Sequence, residues 1–335
     1  MIKEASFYNK LDDLKVQCHL CNHSCKMLEG STGVCGVRQN KEGKLYSLIY
    51  GLCSSIASDP IEKKPLYHFY PGSHVFSIGT VGCNFSCLHC QNYSISAARP
   101  DFSYMQKFTA DDVVCLAKEH GCIGVAFTYN EPSIWYEFTF DSAKLAKKQG
   151  LYTVYVTNGY ISEDPLRQIS SVLDAVNIDV KAFTESFYKK VCKAKLQPVL
   201  DTCILAKELG IHLELTYLVI PGYNDSEKEV ESFCRWVVEK LGCNVPVHFS
   251  RFHPEYNMLD VPSTPMDSMI NIFNIAKKIG LCFVYLGNVP NGDYENTVCP
   301  KCGNICVKRV GFSTKTIGLD KGKCSNCGED LGLII

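Results

Sequence analysis

The sequence predicts an α/β chain: a full or partial (β/α) barrel held between two small cysteine-rich, metal-binding lobes. Three observations lead there. From residue 74 to 290, short apolar runs rich in β-branched and aromatic residues alternate with amphipathic helical stretches. Twelve of the 20 cysteines of this 335-residue chain gather near its two ends and in one central triplet. At that length, 46% apolar and 21% charged residues exclude a disordered chain and allow a sizeable core without crosslinks.

The candidate strands are 74–80, 124–129, 152–158, 175–181, 212–220, 246–252 and 282–289, each bounded by Gly, Pro or Asn. Between them, 109–121 opens on a Thr cap with acids in its first turn and closes on Gly. Stretches 201–210, 225–242 and 264–280 follow the same grammar. Strand, helix, strand in repetition means a parallel sheet, and six or seven units favour a barrel over an open doubly wound sheet. Chemistry in such barrels sits on loops at the C-terminal strand ends. Residues 1–73 then form an N-terminal lobe, 74–290 the barrel and 291–335 a C-terminal element.

The first ten residues, MIKEASFYNK, carry no apolar signal region, and no run of 18 apolar residues exists. A cytoplasmic chain is expected, and no membrane association. Disulfides then explain the cysteines poorly; metal binding or redox chemistry explains them better. A net charge of −1 gives no global argument for nucleic acid.

The central triplet, Cys83, Cys87 and Cys90, has C-x3-C-x2-C spacing directly after the first predicted strand. Three thiolates on one tight loop hold three irons of a [4Fe-4S] cluster and leave the fourth open to a small molecule. A zinc site short of one ligand, or three buried thiols, are the plainer alternatives.

This triplet resembles the defining motif of the radical S-adenosylmethionine (SAM) superfamily. His89 stands where that superfamily usually has an aromatic residue near the adenine. FTYNEP (127–132) ends the second strand, where the superfamily has a Gly-Gly-Glu-Pro-like element; Tyr129 and Asn130 replace both glycines. VTNG (156–159) resembles the Asp-Thr-Asn-Gly of the pyruvate formate-lyase activase-like branch, with Val156 in place of the Asp. IDVK (178–181) matches that branch's Asp-x-Lys. The resemblance implies a barrel of the radical SAM type and cofactor-binding roles for Asn130, Glu131, Asn158, Asp179, Lys181 and His248. Asp179 and Lys181 are the candidates for the SAM amino and carboxylate groups. Longer motifs narrow it: GSTGVCGVRQN (30–40), DPIEKKPLYHFYPGS (59–73), IPGYNDS (220–226) and HFSRFHPEYNM (248–258) resemble the group called AmmeMemoRadiSam.

Two terminal stations accompany the triplet. Cys299, Cys302, Cys324 and Cys327 form two knuckles, CPKCG and CSNCG, which read as a closed four-cysteine site for zinc or a rubredoxin-like iron. Cys306 is a fifth thiol nearby. Cys18, Cys21, Cys25 and Cys35 have C-x2-C-x3-C-x9-C spacing and read as a second closed site, for zinc first or an auxiliary iron–sulfur cluster.

The chemistry implied by the resemblance is one-electron cleavage of SAM to methionine and a 5′-deoxyadenosyl radical, which takes hydrogen from a substrate. An external donor of the flavodoxin or ferredoxin kind supplies the electron. No catalytic side chain is assigned beyond the cluster. The substrate is a small molecule or a residue of a partner protein, with Memo-like and Amme-like proteins as candidate partners. An RNA-modifying radical enzyme and a non-enzymatic iron–sulfur or zinc scaffold are the alternatives. Lys63, Lys64 and His68 form a basic loop that meets an anionic substrate or simply a solvated turn.

Overall fold

The computed structural model describes residues 2–98, 104–290 and 292–335. Asn291, the expected start of the C-terminal element, lies outside the described residues. The centre is one eight-stranded sheet. In chain order its strands are β1 (Ser55–Pro60), β2 (His74–Gly79), β3 (Gly124–Phe127), β4 (Tyr152–Thr157), β5 (Ala175–Asp179), β6 (His212–Val219), β7 (Val247–Arg251) and β8 (Val284–Gly287). Sheet order follows chain order without a crossing. β2 to β8 pair in parallel, while β1 runs antiparallel against β2, Ser55 opposite Gly79 and Pro60 opposite His74. Among the described residues β1 and β8 do not pair, so the barrel is partial.

All seven predicted parallel strands form, each ending one or two residues earlier than expected, and five of them start at the expected residue. The edge strand β1 was not expected. Its side chains alternate between half-buried or buried and exposed, as on a sheet edge with one wet face. Among the described residues six helices connect the parallel strands, spanning Ala110–Glu119, Tyr136–Lys148, Glu163–Ile169, Gln197–Glu208, Glu227–Trp236 and Met266–Ile279. The first is closed by a capping box in which the Thr109 hydroxyl accepts from Asp112 N–H (3.1 Å) and the Asp112 carboxylate accepts from Thr109 N–H (2.7 Å). Tyr136–Lys148 went unpredicted; aromatic and polar residues crowd its first turns and blur the period.

The core is continuous from the N-terminal lobe into the barrel: Val16, Leu45 and Val37 belong to the same cluster as Phe76, Phe127 and Ile178. A smaller cluster joins Tyr67, Phe283 and Tyr285 to Cys299, Cys306, Cys324 and Leu331. The lobes therefore cap opposite ends. The N-terminal lobe meets the chain just beyond β4, where Asn22 N–H donates to Tyr160 O (3.1 Å) and Ser162 N–H to Leu20 O (3.0 Å). The C-terminal lobe lies at the strand starts: Ile334 N–H donates to His68 O, and Tyr70 N–H to Ile334 O.

Candidate functional site

The triplet loop leaves β2 at its C-terminal end and is pinned on three sides. Asn130, just past β3, accepts Thr80 N–H on Oδ1 (3.2 Å) and donates through Nδ2 to Gly82 O (2.8 Å). On the far side, Ser86 and Leu88 N–H donate to the carbonyls of Cys192 and Val191 (both 3.1 Å). Those carbonyls belong to a π-helical turn, Tyr188–Cys192, a backbone irregularity of the kind that recurs at functional sites. On the third side, Asn158 Nδ2 donates to Asn84 Oδ1 (2.7 Å) and lies 3.8 Å from Cys83 Sγ.

Cys83, Cys87 and Cys90 are each half-buried. Phe85 N–H and the Asn158 amide both point at the Cys83 sulfur. Directed N–H donors suit a ligating thiolate. The residues thus fit a cluster with one open iron. The Cys192 side chain, buried, hydrogen-bonds Cys87.

Glu131 is fully buried yet well satisfied. Its Oε1 accepts from the Thr157 hydroxyl (2.7 Å) and Ser133 N–H (2.9 Å), and its Oε2 from Asn158 N–H (2.8 Å). Burial raises its pKa, and these donors oppose the rise. Glu131 thereby locks the end of β4 to the end of β3 and aims Asn158 at the cysteine loop.

Lys181, two residues past the end of β5, holds its ammonium 2.5 Å from Asp179 Oδ2. Its backbone is clamped: Lys181 N–H donates to the Tyr188 hydroxyl (3.0 Å), and Asn224 Nδ2 donates to Lys181 O (2.7 Å). Burial alone would lower the lysine pKa; the Asp179 carboxylate and then the Cys87 sulfur raise it above the ordinary value. Lys181 also bears electrostatically on Cys90 and His89. His89 is buried with neither ring nitrogen partnered, and burial followed by Lys181 pushes its pKa down to about 3. It presents a neutral, flat ring 6.0 Å from that of Phe187.

The structure brings Cys83, Cys87, Cys90, Asn130, Glu131, Asn158, Asp179 and Lys181 to one face, at the C-terminal ends of β2 to β5. His248 is not among them. It is the second residue of β7, near the other end of the barrel, where its Nε2 lies 2.7 Å from Glu214 Oε2 and its ring meets Tyr67 edge-on. Glu214 also accepts from Tyr67 and His68 N–H (3.0 and 2.7 Å). The basic loop divides: Lys64 is 2% exposed and bonds Asp59 (2.7 Å) and His68 is 1% exposed, while Lys63 stays exposed to solvent.

At the C-terminus, the ligand atoms of Cys299, Cys302, Cys324 and Cys327 all lie within 4.8 Å of one another. Two sulfur pairs, Cys299 with Cys327 and Cys302 with Cys324, are 3.6 Å apart. Tetrahedral thiolates about 2.3 Å from one ion give nearly this separation. Gly303 and Gly328 take positive φ (74° and 73°), so their N–H groups turn back to the carbonyls of Cys299 and Cys324 (2.9 and 2.8 Å). Cys306 is buried beside Cys324, outside the quartet. Zinc and iron both fit four such thiols.

The sequence search missed Cys192. It lies 102 residues beyond Cys90 with no motif around it, and only the fold brings it to Cys87.

Residues 77–234 match the model of the radical SAM superfamily. The chain is 46% identical over 336 residues to the uncharacterized protein MJ0808 of Methanocaldococcus jannaschii, covering all of both chains. It is 23% identical to the pyruvate formate-lyase-activating enzyme of Clostridium pasteurianum, across 59% of this chain and 88% of that one. In fold it resembles Streptococcus suis SuiB, with a TM-score of 0.51 at 9% identity, over 66% of this chain and 49% of that one. The cysteine loop, the strand-end residues around it and these matches agree: the chain belongs to the radical SAM superfamily.

Proposed function

We propose that this protein is an activase-like radical SAM enzyme of the AmmeMemoRadiSam type that abstracts hydrogen from a residue of a partner protein. The observation that carries the reading is the Asp179–Lys181 pair beside Cys87: a cation and an anion, 2.5 Å apart, at the mouth of a three-cysteine loop. SAM carries the complementary pair, an amino and a carboxylate group.

Cys83, Cys87 and Cys90 would hold a [4Fe-4S] cluster, which would supply the electron for reductive cleavage of SAM and so the hydrogen-abstracting chemistry. Every other contribution is positional. Lys181 neutralises the SAM carboxylate and Asp179 receives its ammonium. Asn158 and Asn130 hold the cysteine loop, and Glu131 holds Asn158. The neutral His89 ring offers a face to the adenine. His248, tied to Glu214, acts as a strut of the barrel floor. Distant kinship to activating enzymes supports a protein substrate; Val156, Tyr129 and Asn130, where that branch has Asp and two glycines, set this chain apart from it. The electron comes from an external low-potential donor.

The test is anaerobic reconstitution with iron and sulfide, then reductant and SAM, with 5′-deoxyadenosine as the readout. The reading requires its formation and a SAM-dependent change in the cluster's EPR spectrum. A full cluster that yields neither overturns it.

A further inference from the structure

The π-helical turn Tyr188–Cys192 reaches the candidate face from both of its ends. At its start, the Tyr188 hydroxyl accepts Lys181 N–H (3.0 Å). At its end, the Val191 and Cys192 carbonyls accept Leu88 and Ser86 N–H (both 3.1 Å). The next residue, Lys193, is in the left-handed region (φ +59°), so the helical path stops and the last carbonyls of the turn look outward for donors. Ser86 and Leu88 flank Cys87. The two bonds therefore fix the backbone on either side of this cysteine against Cys192. The Cys192 side chain is fully buried, and its thiol hydrogen-bonds the Cys87 sulfur. Neither cysteine can drift from the other without breaking a backbone bond.

Cys87 differs in this from the other two cysteines of its loop. Backbone N–H groups two residues on serve those sulfurs: Phe85 N–H at Cys83 (3.3 Å) and Asn92 N–H at Cys90. At Cys87 the hydrogen-bonding neighbour is a side chain from a distant turn. Lys181 and Asp179 also bear on this sulfur, but with opposite signs.

A sulfur that ligates iron keeps much of its negative charge and stays a hydrogen-bond acceptor. A donor aimed at it favours the reduced, more negative form of the cluster over the oxidised one. Hydrogen bonds to the sulfurs are among the means by which a protein sets such a potential. In a site shielded from water the bond counts for more than on a surface. We infer that Cys192 sets the reduction potential of the cluster held by Cys83, Cys87 and Cys90, by donating its S–H to the Cys87 sulfur. Cys192 is not a ligand in this arrangement; it makes the cluster easier for the external donor to reduce. The inference rests on the cluster at the triplet, and on neither SAM binding nor the nature of the substrate.

The test is an anaerobic redox titration of the reconstituted protein, followed by EPR without SAM. It reads the midpoint potential of the signal that is lost in the Cys87→Ala protein. Removing the donor in Cys192→Ala is expected to lower that potential by about 30–60 mV, a roughly three- to tenfold shift in the one-electron equilibrium at about 59 mV per tenfold. Cys192→Ser keeps a hydroxyl donor and is expected to hold the potential at or above its native value. Should Cys192→Ala not fold, Cys192→Val removes the donor and still fills the space. A residue that only packs would lower the urea midpoint and leave the potential where it was. An unchanged potential in a folded donor-free variant therefore overturns the inference, and so does an equal fall in Cys192→Ser. Absence of any Cys87-dependent signal in the unsubstituted protein overturns the cluster reading itself, and this inference with it.

Discussion

Gly82 faces the carbonyl of Cys35 across van der Waals contact, at φ +86°, with Val37 Cγ1 closing the same gap. This contact joins the N-terminal lobe to the loop that carries Cys83, Cys87 and Cys90. Gly82→Ala meets a backbone strained for any L side chain and two atoms within 2.7 Å. Its cost is about 2–3 kcal/mol, read as a lower urea midpoint. Because Gly82 directly precedes Cys83, the variant is also expected to hold less iron after reconstitution. A variant with unchanged stability and iron content would show that the contact yields cheaply.

Lys181→Met removes the ammonium while keeping the chain's bulk. Loss of one charge-assisted hydrogen bond costs about 1.5–3 kcal/mol, so SAM binds roughly 10- to 100-fold more weakly. The cluster itself should still assemble, since Lys181 is not a ligand. Equilibrium binding of SAM to the reconstituted protein measures this, and Cys87→Ala is the control that abolishes SAM cleavage altogether.

Cys327→Ala breaks the C-terminal quartet, whose neighbours Cys299, Cys306 and Cys324 share a small core with Tyr67, Phe283 and Tyr285. This site is at the barrel end remote from Cys83. The expected outcome is lower stability, by about 3 kcal/mol or roughly 5 °C in Tm, with SAM cleavage per folded protein nearly unchanged. Stripping the metal with a chelator should act in the same direction. Selective loss of cleavage at normal stability would contradict a structural role.

His68 links the barrel floor to the C-terminal lobe through a chain of hydrogen bonds. Arg309 donates to the Thr297 hydroxyl (2.8 Å), Thr297 lies 2.9 Å from the Tyr285 hydroxyl, and Tyr285 lies 2.7 Å from His68 Nε2. His68 Nδ1 lies 3.0 Å from Leu331 O, so a neutral ring that donates there and accepts from Tyr285 satisfies both ends. Burial pushes the His68 pKa down to about 3, with Glu214 opposing and His212 and Arg309 assisting. The unfolded chain takes up this proton near pH 6.5, whereas the folded chain resists until about 3. Stability from His68 is therefore complete above pH 6.5 and is lost as pH falls from there towards 3, by up to about 1.4 kcal/mol per unit. Urea midpoints from pH 7 to 4.5 should decline, and His68→Asn, though less stable at pH 7, should decline less steeply.

Much of the candidate face was legible because each of its parts is local. Cys83, Cys87 and Cys90 sit in eight residues, and Asp179 and Lys181 in three. Strand-end position follows from the alternation of strand and helix. His248 shows the limit. It stands on a late strand as the motif requires, but it is the second residue of β7, and its partner Glu214 comes from β6. A one-dimensional motif tells that a residue is on a strand and not how far along the barrel it points. Lys64 shows another. Its charge reads as a surface feature until Asp59, five residues earlier but on the sheet edge, takes it into the interior.

Sequence by itself determined the α/β alternation, the strand order along the sheet and the identity of the three cysteine groups, because period, turn residues and ligand spacing are short-range properties. Only the tertiary structure decided that the barrel stays open and that an antiparallel edge strand completes it. It also decided that the N-terminal cysteines back onto the Cys83 loop while the C-terminal ones sit at the opposite end. Those facts depend on which distant surfaces pack, and a contact such as Gly82 on Cys35 leaves no mark in either segment beyond the absence of a side chain.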